Sequence, residues 1–333
     1  MSRAQTVVVI AMALFIGTSV TAQRRAEGNA DGSARLEVLQ VRPNVYMIAG
    51  AGANLTVQFG ADGAVVVDAG SLEKADAVLD AIRRLTGQPI RYVIDTSADP
   101  DHVGGNEHVS KAGRTLFQTN NPLGEGMTNG GAASILSAER VLSRMSAPTG
   151  KPSPFPTAAW PTETYNQKRK YMYLNGEGIE VLHQPAAHSD GDSVVFFRRS
   201  DVVAAGDILD TTRFPVIDIA RGGSIQGEID ALNRLIDLAI PSIPLVAQDG
   251  GTYVVPGHGY LCDQLDVVDY RDMVTIVRDR VQSLIKDGRT LDQIKTARPT
   301  IGYTARYGSD SGPWTTSMFV EAVYNSLMKD ARK

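Results

Sequence analysis

Three of the chain's five histidines stand in the same kind of place. His102 follows the strand-like run YVIDT, His188 follows IEVLHQPAA and His258 follows TYVVPG, each near Gly or Asp. Asp207, closing DVVAAGD, makes a fourth such position. Ahead of His102 the chain reads TSADPDH, which adds Asp99 and Asp101 and sets Ser97 and Asp99 at alternate positions. Imidazoles mixed with carboxylates are the ligand set of zinc, iron or manganese. Ligands at successive strand ends converge on one rim of a sheet, where rigid elements can hold a metal. Each residue taken alone is an ordinary turn residue, because Asp-Gly and His-Gly pairs are common in turns. Four together in strand–turn context favour a metal site. His108 lies on a polar helical stretch and His183 inside an apolar strand, so neither joins the set. The lone Cys262, four residues after His258, reads as a buried thiol. The residues by themselves leave TSADPDH as a metal loop, the remnant of one, or a surface loop.

The elements that must position these residues are legible from periodicity. LEVLQV, NVYMIAG, ANLTVQFG and AVVVDAG are short β-rich runs separated by turn signals, with Asp62-Gly63 as a hairpin turn. Ser71 is expected to cap a helix carrying Leu72, Ala75, Leu79, Ile82 and Leu85 on one face. RYVID is the strand that leads into the TSADPDH loop. AASILSAERVLSRM reads as a helix, followed by a Pro-rich loop from Ser146 to Pro161, a lid or simply a packed connector. Strands return at KRKYMYL, IEVLHQP, DSVVFFRR and DVVAAGD. A helix is expected over Glu228 to Ile240 and a strand over Thr252 to Val255. A longer helix carries Val267, Tyr270, Val274, Val277, Val281 and Leu284, with Gly288 as its stop. Thr290 and Gln293 have capping-box spacing, and Trp314 to Lys329 is a terminal helix. Two blocks of strands, each followed by helices, imply an α/β protein of two stacked sheets with helices outside. The loop FPVIDIARGGSIQG places Asp218 and Ser224 as candidates to face a substrate, or serves as a plain connector.

Apolar residues make up 43% and charged residues 21% of the 333, ample for a large core. The net charge of −4 comes without any basic run, so nothing points to nucleic acid. Ser2-Arg3, the apolar run Thr6 to Gly17 and the small residues Val20-Thr21-Ala22 have the order of a secretory signal peptide. That run of roughly 12 residues is too short to span a bilayer. Residues 1–22 are therefore expected to be a signal peptide cleaved after Ala22, 23–35 a flexible leader and 36–333 a single domain. The mature protein would be secreted or periplasmic, with no stable membrane insertion. No oligomeric state is assigned.

From about Leu36 to Lys333 the chain resembles the metallo-β-lactamase-fold hydrolases. The landmarks are VVVDAG with Asp68, the loop position of the family's H-x-H-x-D-H, AAHSDGDS with His188, AAGD with Asp207, and VPGHG with His258. The resemblance implies an αβ/βα four-layer sandwich with its active site along one edge of both sheets. It implies a second-metal set of Asp101, His102 and His258 with Asp207 as a bridging carboxylate, and a first-metal set that keeps His188 and Asp207. The H-x-H half is replaced by Ser97-x-Asp99, so the first set is depleted, with Asp99 able to donate an oxygen. Exchanging imidazole for carboxylate favours harder metals. The expectation is one tight Zn2+, and a second site that is weak or takes a metal such as Mn2+. The function implied is an exported hydrolase in which metal-activated water, oriented by Asp101, attacks a small ester, lactone, thioester or amide. The alternative is a non-catalytic metal- or ligand-binding relative.

Overall fold

The computed structural model describes residues 35–116, 131–147, 151–242 and 250–331. The expected signal peptide and nearly all of the leader lie outside them. Strands β1 (Glu37–Arg42), β2 (Val45–Ala51), β3 (Ala53–Gly60) and β4 (Gly63–Val67) form an antiparallel meander. The hairpin between β3 and β4 pairs Gly60 with Gly63, so Ala61-Asp62 is its tip, one residue earlier than Asp62-Gly63. Helix α1 (Ala75–Leu85) then crosses to β5 (Ile90–Ile94), which pairs parallel to β4. Helices α2 (Pro100–Val103) and α3 (Asn106–Ala112) follow it, and β6 (Ser134–Ala138), α4 (Glu139–Met145) and β7 (Glu163–Tyr165) complete the first sheet in sequence order.

The second sheet comprises β8 (Arg169–Leu174), β9 (Glu177–Gln184), β10 (Asp192–Phe197), β11 (Val202–Asp210) and β12 (Tyr253–His258). Helix α5 (Ile225–Leu238) carries the chain from β11 to β12, which pair in parallel, and α6 (Gln264–Lys286), α7 (Leu291–Thr296), α8 (Thr304–Tyr307) and α9 (Thr316–Asp330) close the fold. All described residues fall in one unit, Arg35–Lys333.

Four layers follow from the two-residue period of buried strands. In β4, Ala64 and Val66 pack with Val78, Ile82 and Val109 of α1 and α3, whereas Val65 and Val67 face Val181, Val195 and Ala204 of the other sheet. Strands buried on both faces read as continuous apolar runs, as VVV does here. On the far side of the second sheet, Leu182, Val194 and Val203 pack against Ile229 and Leu232 of α5, Val274 of α6 and Phe319 of α9.

Two further local expectations need correction. AASILSAERVLSRM is not one helix: Ser134–Ala138 is a strand between β5 and β7, and the helix starts at Glu139. Ile135 packs toward α1 and α3 while Leu136 packs between the sheets, a two-faced burial that helical periodicity misreads. Ser71 makes no side-chain cap bond; a 3-10 turn, Leu72–Lys74, precedes α1 and leaves Leu72 exposed. The described part of the Ser146–Pro161 loop is packed down, with Phe155 and Trp160 against the core between the sheets and the Trp160 indole donating to Phe155 O at 3.0 Å. The Thr290/Gln293 capping box forms as its spacing predicts.

Candidate metal centre

The centre begins with a strained residue. Asp68, just past β4, has φ +63°, a left-handed conformation uncommon outside glycine. That turn buries its carboxylate, which accepts from Thr96 N at 2.8 Å and Thr96 Oγ1 at 2.7 Å. Its Oδ2 also lies 2.8 Å from His102 Nδ1. A hydrogen bond at Nδ1 fixes the tautomer and leaves Nε2 to face inward, as metal-ligating histidines require. His102 Nε2 points at Asp207 Oδ1, 3.0 Å away.

His188, in the turn between β9 and β10, is oriented in the same way by different chemistry. Its Nδ1 donates to Val216 O at 2.9 Å and its Nε2 lies 3.1 Å from Asp99 Oδ2. Asp207 reaches the centre because β11 carries a register shift at Gly206 (φ +56°), whose missing Cβ would lie 2.6 Å from Thr96 Oγ1. His258 ends β12, with Nε2 3.4 Å from Asp101 Oδ2 and 3.5 Å from Asp207 Oδ1. Gly259 (φ +103°) turns the chain away where a Cβ would collide with Thr211.

The six residues expected from sequence thus meet at one rim, in two groups: Asp101, His102 and His258, and Asp99, His188 and Asp207. Within each group one ligand atom per residue lies within 4.8 Å of the others. Ser97 does not face solvent; its hydroxyl donates to Asp207 Oδ2 at 2.9 Å. Asp218 and Ser224 do not face the centre as substrate-binding groups. Asp218 caps a 3-10 turn and Ser224 caps α5. The residues missed from sequence are Thr96 and Arg221, whose guanidinium pairs with Asp99 Oδ1 at 3.0 Å. Asp68 was legible as a landmark, but nothing in its neighbourhood signalled that it would orient His102, 34 positions away.

The donor set fits a divalent cation. Tetrahedral zinc with bonds of about 2.0–2.1 Å has ligand atoms about 3.3 Å apart, and the N···O separations of 3.0, 3.4 and 3.5 Å among His102, Asp101, His258 and Asp207 bracket that edge. The field also asks for positive charge. Burial opposes a charge on His102, yet the Asp207 and Asp68 carboxylates outweigh it and hold the imidazole well above its usual range. His188 is raised in the same way, burial being overcome by Asp99, Asp207 and Asp192. Burial pushes Asp207 up, and the surrounding imidazoles reverse this and hold it well below the ordinary carboxylate range. A proton shared among these groups is the weaker substitute for a metal ion.

The cleft over the centre is small, ≈ 80 Å³, and Arg213 lines it beside the ligands, held by Asp210 at 2.7 Å. A larger cavity of ≈ 200 Å³ lies among Lys295, Arg298 and Thr316 and contains none of the imidazoles.

Comparison with known proteins bears on the fold and the family. The family model described as the metallo-beta-lactamase superfamily matches residues 44–258. The fold is similar to that of a stereoselective inverting sec-alkylsulfatase from Pseudomonas sp., with 15% identity, TM-score 0.59, and coverage of 87% of this chain and 50% of that one. This chain therefore spans about half the length of the alkylsulfatase. It is also similar to a metallo-beta-lactamase from Pontibacter korlensis, with 19% identity, TM-score 0.53, and coverage of 72% of this chain and 99% of that one. At these identities the likeness shows the fold alone. No curated protein sequence is close enough to count as a match. With the family model spanning well over half of the chain and ending on the last imidazole of the centre, the protein belongs to the metallo-beta-lactamase superfamily.

Proposed function

We propose that the protein is a metal-dependent hydrolase of a small ester, lactone, thioester or amide, exported through its N-terminal signal segment. The observation that carries the reading is the pair of buried imidazoles whose Nδ1 atoms are engaged by Asp68 and Val216, so that each Nε2 faces a carboxylate of the centre, Asp207 for His102 and Asp99 for His188. Asp101, His102, His258 and Asp207 would hold one tight divalent metal, with zinc as the first candidate for this mixed nitrogen–oxygen set. Asp99, His188 and Asp207 would form a weaker position for a harder ion such as Mn2+. When bound, the metal supplies a Lewis acid that polarises the scissile group and acidifies water.

The protein's own residues do the rest. Asp101 is the least buried of the ligating carboxylates, with its side chain 39% exposed, and it stands at the cleft. It is the group placed to orient the attacking water and accept its proton. The Ser97 hydroxyl fixes Asp207 through Oδ2 and leaves Oδ1 turned toward His102 and His258. Arg213, anchored by Asp210, offers positive charge at the mouth of the cleft for a substrate that carries a negative group.

The test is elemental analysis of protein purified without added metal, followed by hydrolysis assays on an ester, a lactone, a thioester, an amide and, given the alkylsulfatase's similar fold, an alkyl sulfate. Stoichiometric metal, and turnover that a chelator removes and metal restores, support the reading. A metal-free protein that turns over none of these after metal loading refutes it.

A further inference from the structure

We propose that Arg221 is the second cation of this centre: its guanidinium, ion-paired to Asp99, balances the half-site of Asp99, His188 and Asp207 and limits the protein to one tight divalent metal. The inference rests on the proposed metal-binding reading of the site.

Three observations carry it. First, the contact is aimed at the depleted half. Arg221 Nη1 donates to Asp99 Oδ1 at 3.0 Å, while the other oxygen of the same carboxylate faces His188 Nε2 at 3.1 Å. The guanidinium therefore sits one carboxylate away from the imidazole, where a second metal would need Asp99 for itself.

Second, the arginine is built into place. Its backbone closes a 3-10 turn capped by the Asp218 carboxylate, and Gly222 (φ +91°) ends that turn against Asp190. Its carbonyl accepts from Asp190 N at 3.0 Å and from Arg144 Nη2 at 2.6 Å, which ties it to the turn that carries His188. Asp218 holds its Nε from the other side at 3.4 Å. An exposed ion pair on a free surface contributes little, but this one joins the loop of Asp99 to the segment whose Val216 carbonyl orients His188.

Third, the guanidinium and a second metal would need the same oxygen donor. Asp99 is the carboxylate that the half-site shares with Arg221, and Asp218 holds the same guanidinium in place. A second divalent ion beside Arg221 would compete with the guanidinium for Asp99. Asp99 is the carboxylate that engages an arginine, and an arginine cannot be a metal ligand because it stays protonated.

The test is titration of metal-free protein with Co2+, followed by calorimetry and by the visible absorption of bound cobalt, on the wild type, Arg221→Ala, Arg221→Gln and Arg221→Lys. The Arg221 side chain is about half exposed, so truncation leaves no buried hole, and Gln removes the charge while keeping a hydrogen-bonding group. Expected are one tight equivalent for the wild type and the Lys variant. Ala and Gln should bind a second equivalent about 10–100-fold more tightly than the wild type does, the scale on which groups around the ligands act on metal affinity. One equivalent in folded Ala and Gln variants overturns the inference and leaves the metal reading standing. Two equally tight equivalents in the wild type also overturn it. No tight cobalt in any of the four overturns the metal reading and this inference together.

Discussion

The most direct probe of how the centre is preorganised is Asp68→Asn. Asn is nearly the same shape as Asp and is enriched in the left-handed region, so the φ of +63° is kept at little cost. What changes is the hydrogen bonding. Asp68 Oδ2 now faces both the Thr96 hydroxyl and His102 Nδ1, and Oδ1 accepts from Thr96 N. If the amide nitrogen takes the Oδ2 position, it points a donor at Nδ1, which must then become an acceptor. The proton moves to Nε2, the atom that faces Asp207 Oδ1, and the lone pair needed for a metal is lost. If the amide flips, its NH2 meets the buried Thr96 N–H instead, and an unsatisfied buried donor costs about 1–3 kcal/mol of stability. Loss of such an orienting partner weakens metal affinity by about 10–100-fold, or about 1.4–2.8 kcal/mol. Competition of the variant against a chromophoric chelator for Zn2+, with a thermal melt of the metal-free protein alongside, separates the two effects. A variant that binds zinc as tightly as the wild type refutes the claim that Asp68 sets the tautomer of His102.

Three further outcomes are expected. His258→Ala should abolish tight metal binding while Asp99→Ala leaves it in place, since only His258 belongs to the group of Asp101 and His102; equal loss in a chelator titration would show that the two groups are not independent. The double change Ser97→His, Asp99→His should let the protein hold a second zinc with His188 and Asp207, while overpacking at the fully buried Ser97 costs about 1–3 kcal/mol; a variant of wild-type stability that gains no zinc would refute the alignment of these positions. Glu228, buried in α5 with neither carboxyl oxygen paired among the described residues, is held well above the ordinary carboxylate range, first by burial and then by the charge of Asp192. The native state keeps a proton that the unfolded chain has released, so this contribution to stability is complete below about pH 4.5 and is lost as pH rises through the native pKa. Glu228→Gln cannot titrate, so its stability advantage should widen as pH rises above about 4.5, by up to about 1.4 kcal/mol per pH unit across the titrating range. Urea unfolding at several pH values checks this, and a constant gap would refute it.

The sequence by itself determined what is local. VVV in β4 and VVP in β12 declare strands through their apolar runs, and Thr290 with Gln293 declares a helix start through the spacing of two side chains. The imidazoles were legible because His102 and His188 stand past the ends of strands and His258 ends one, so the path of the backbone alone brings them to one rim. Tertiary structure decided what depends on partners distant along the chain. Ile135 and Leu136 became strand residues because β5 and β7 flank them and both faces are covered, which outweighs the helical spacing of the same segment. Phe155 and Trp160 packed onto the core rather than over the cleft for a similar reason: an apolar face between two sheets was available to them. Asp68 reaches across 34 positions to His102, Ser97 across 110 to Asp207 and Arg221 across 122 to Asp99. Periodicity and turn chemistry carry no information about such pairs. They are selected when the two sheets pack, because a carboxylate buried there must find a proton donor or a positive charge among whatever residues the fold brings within reach.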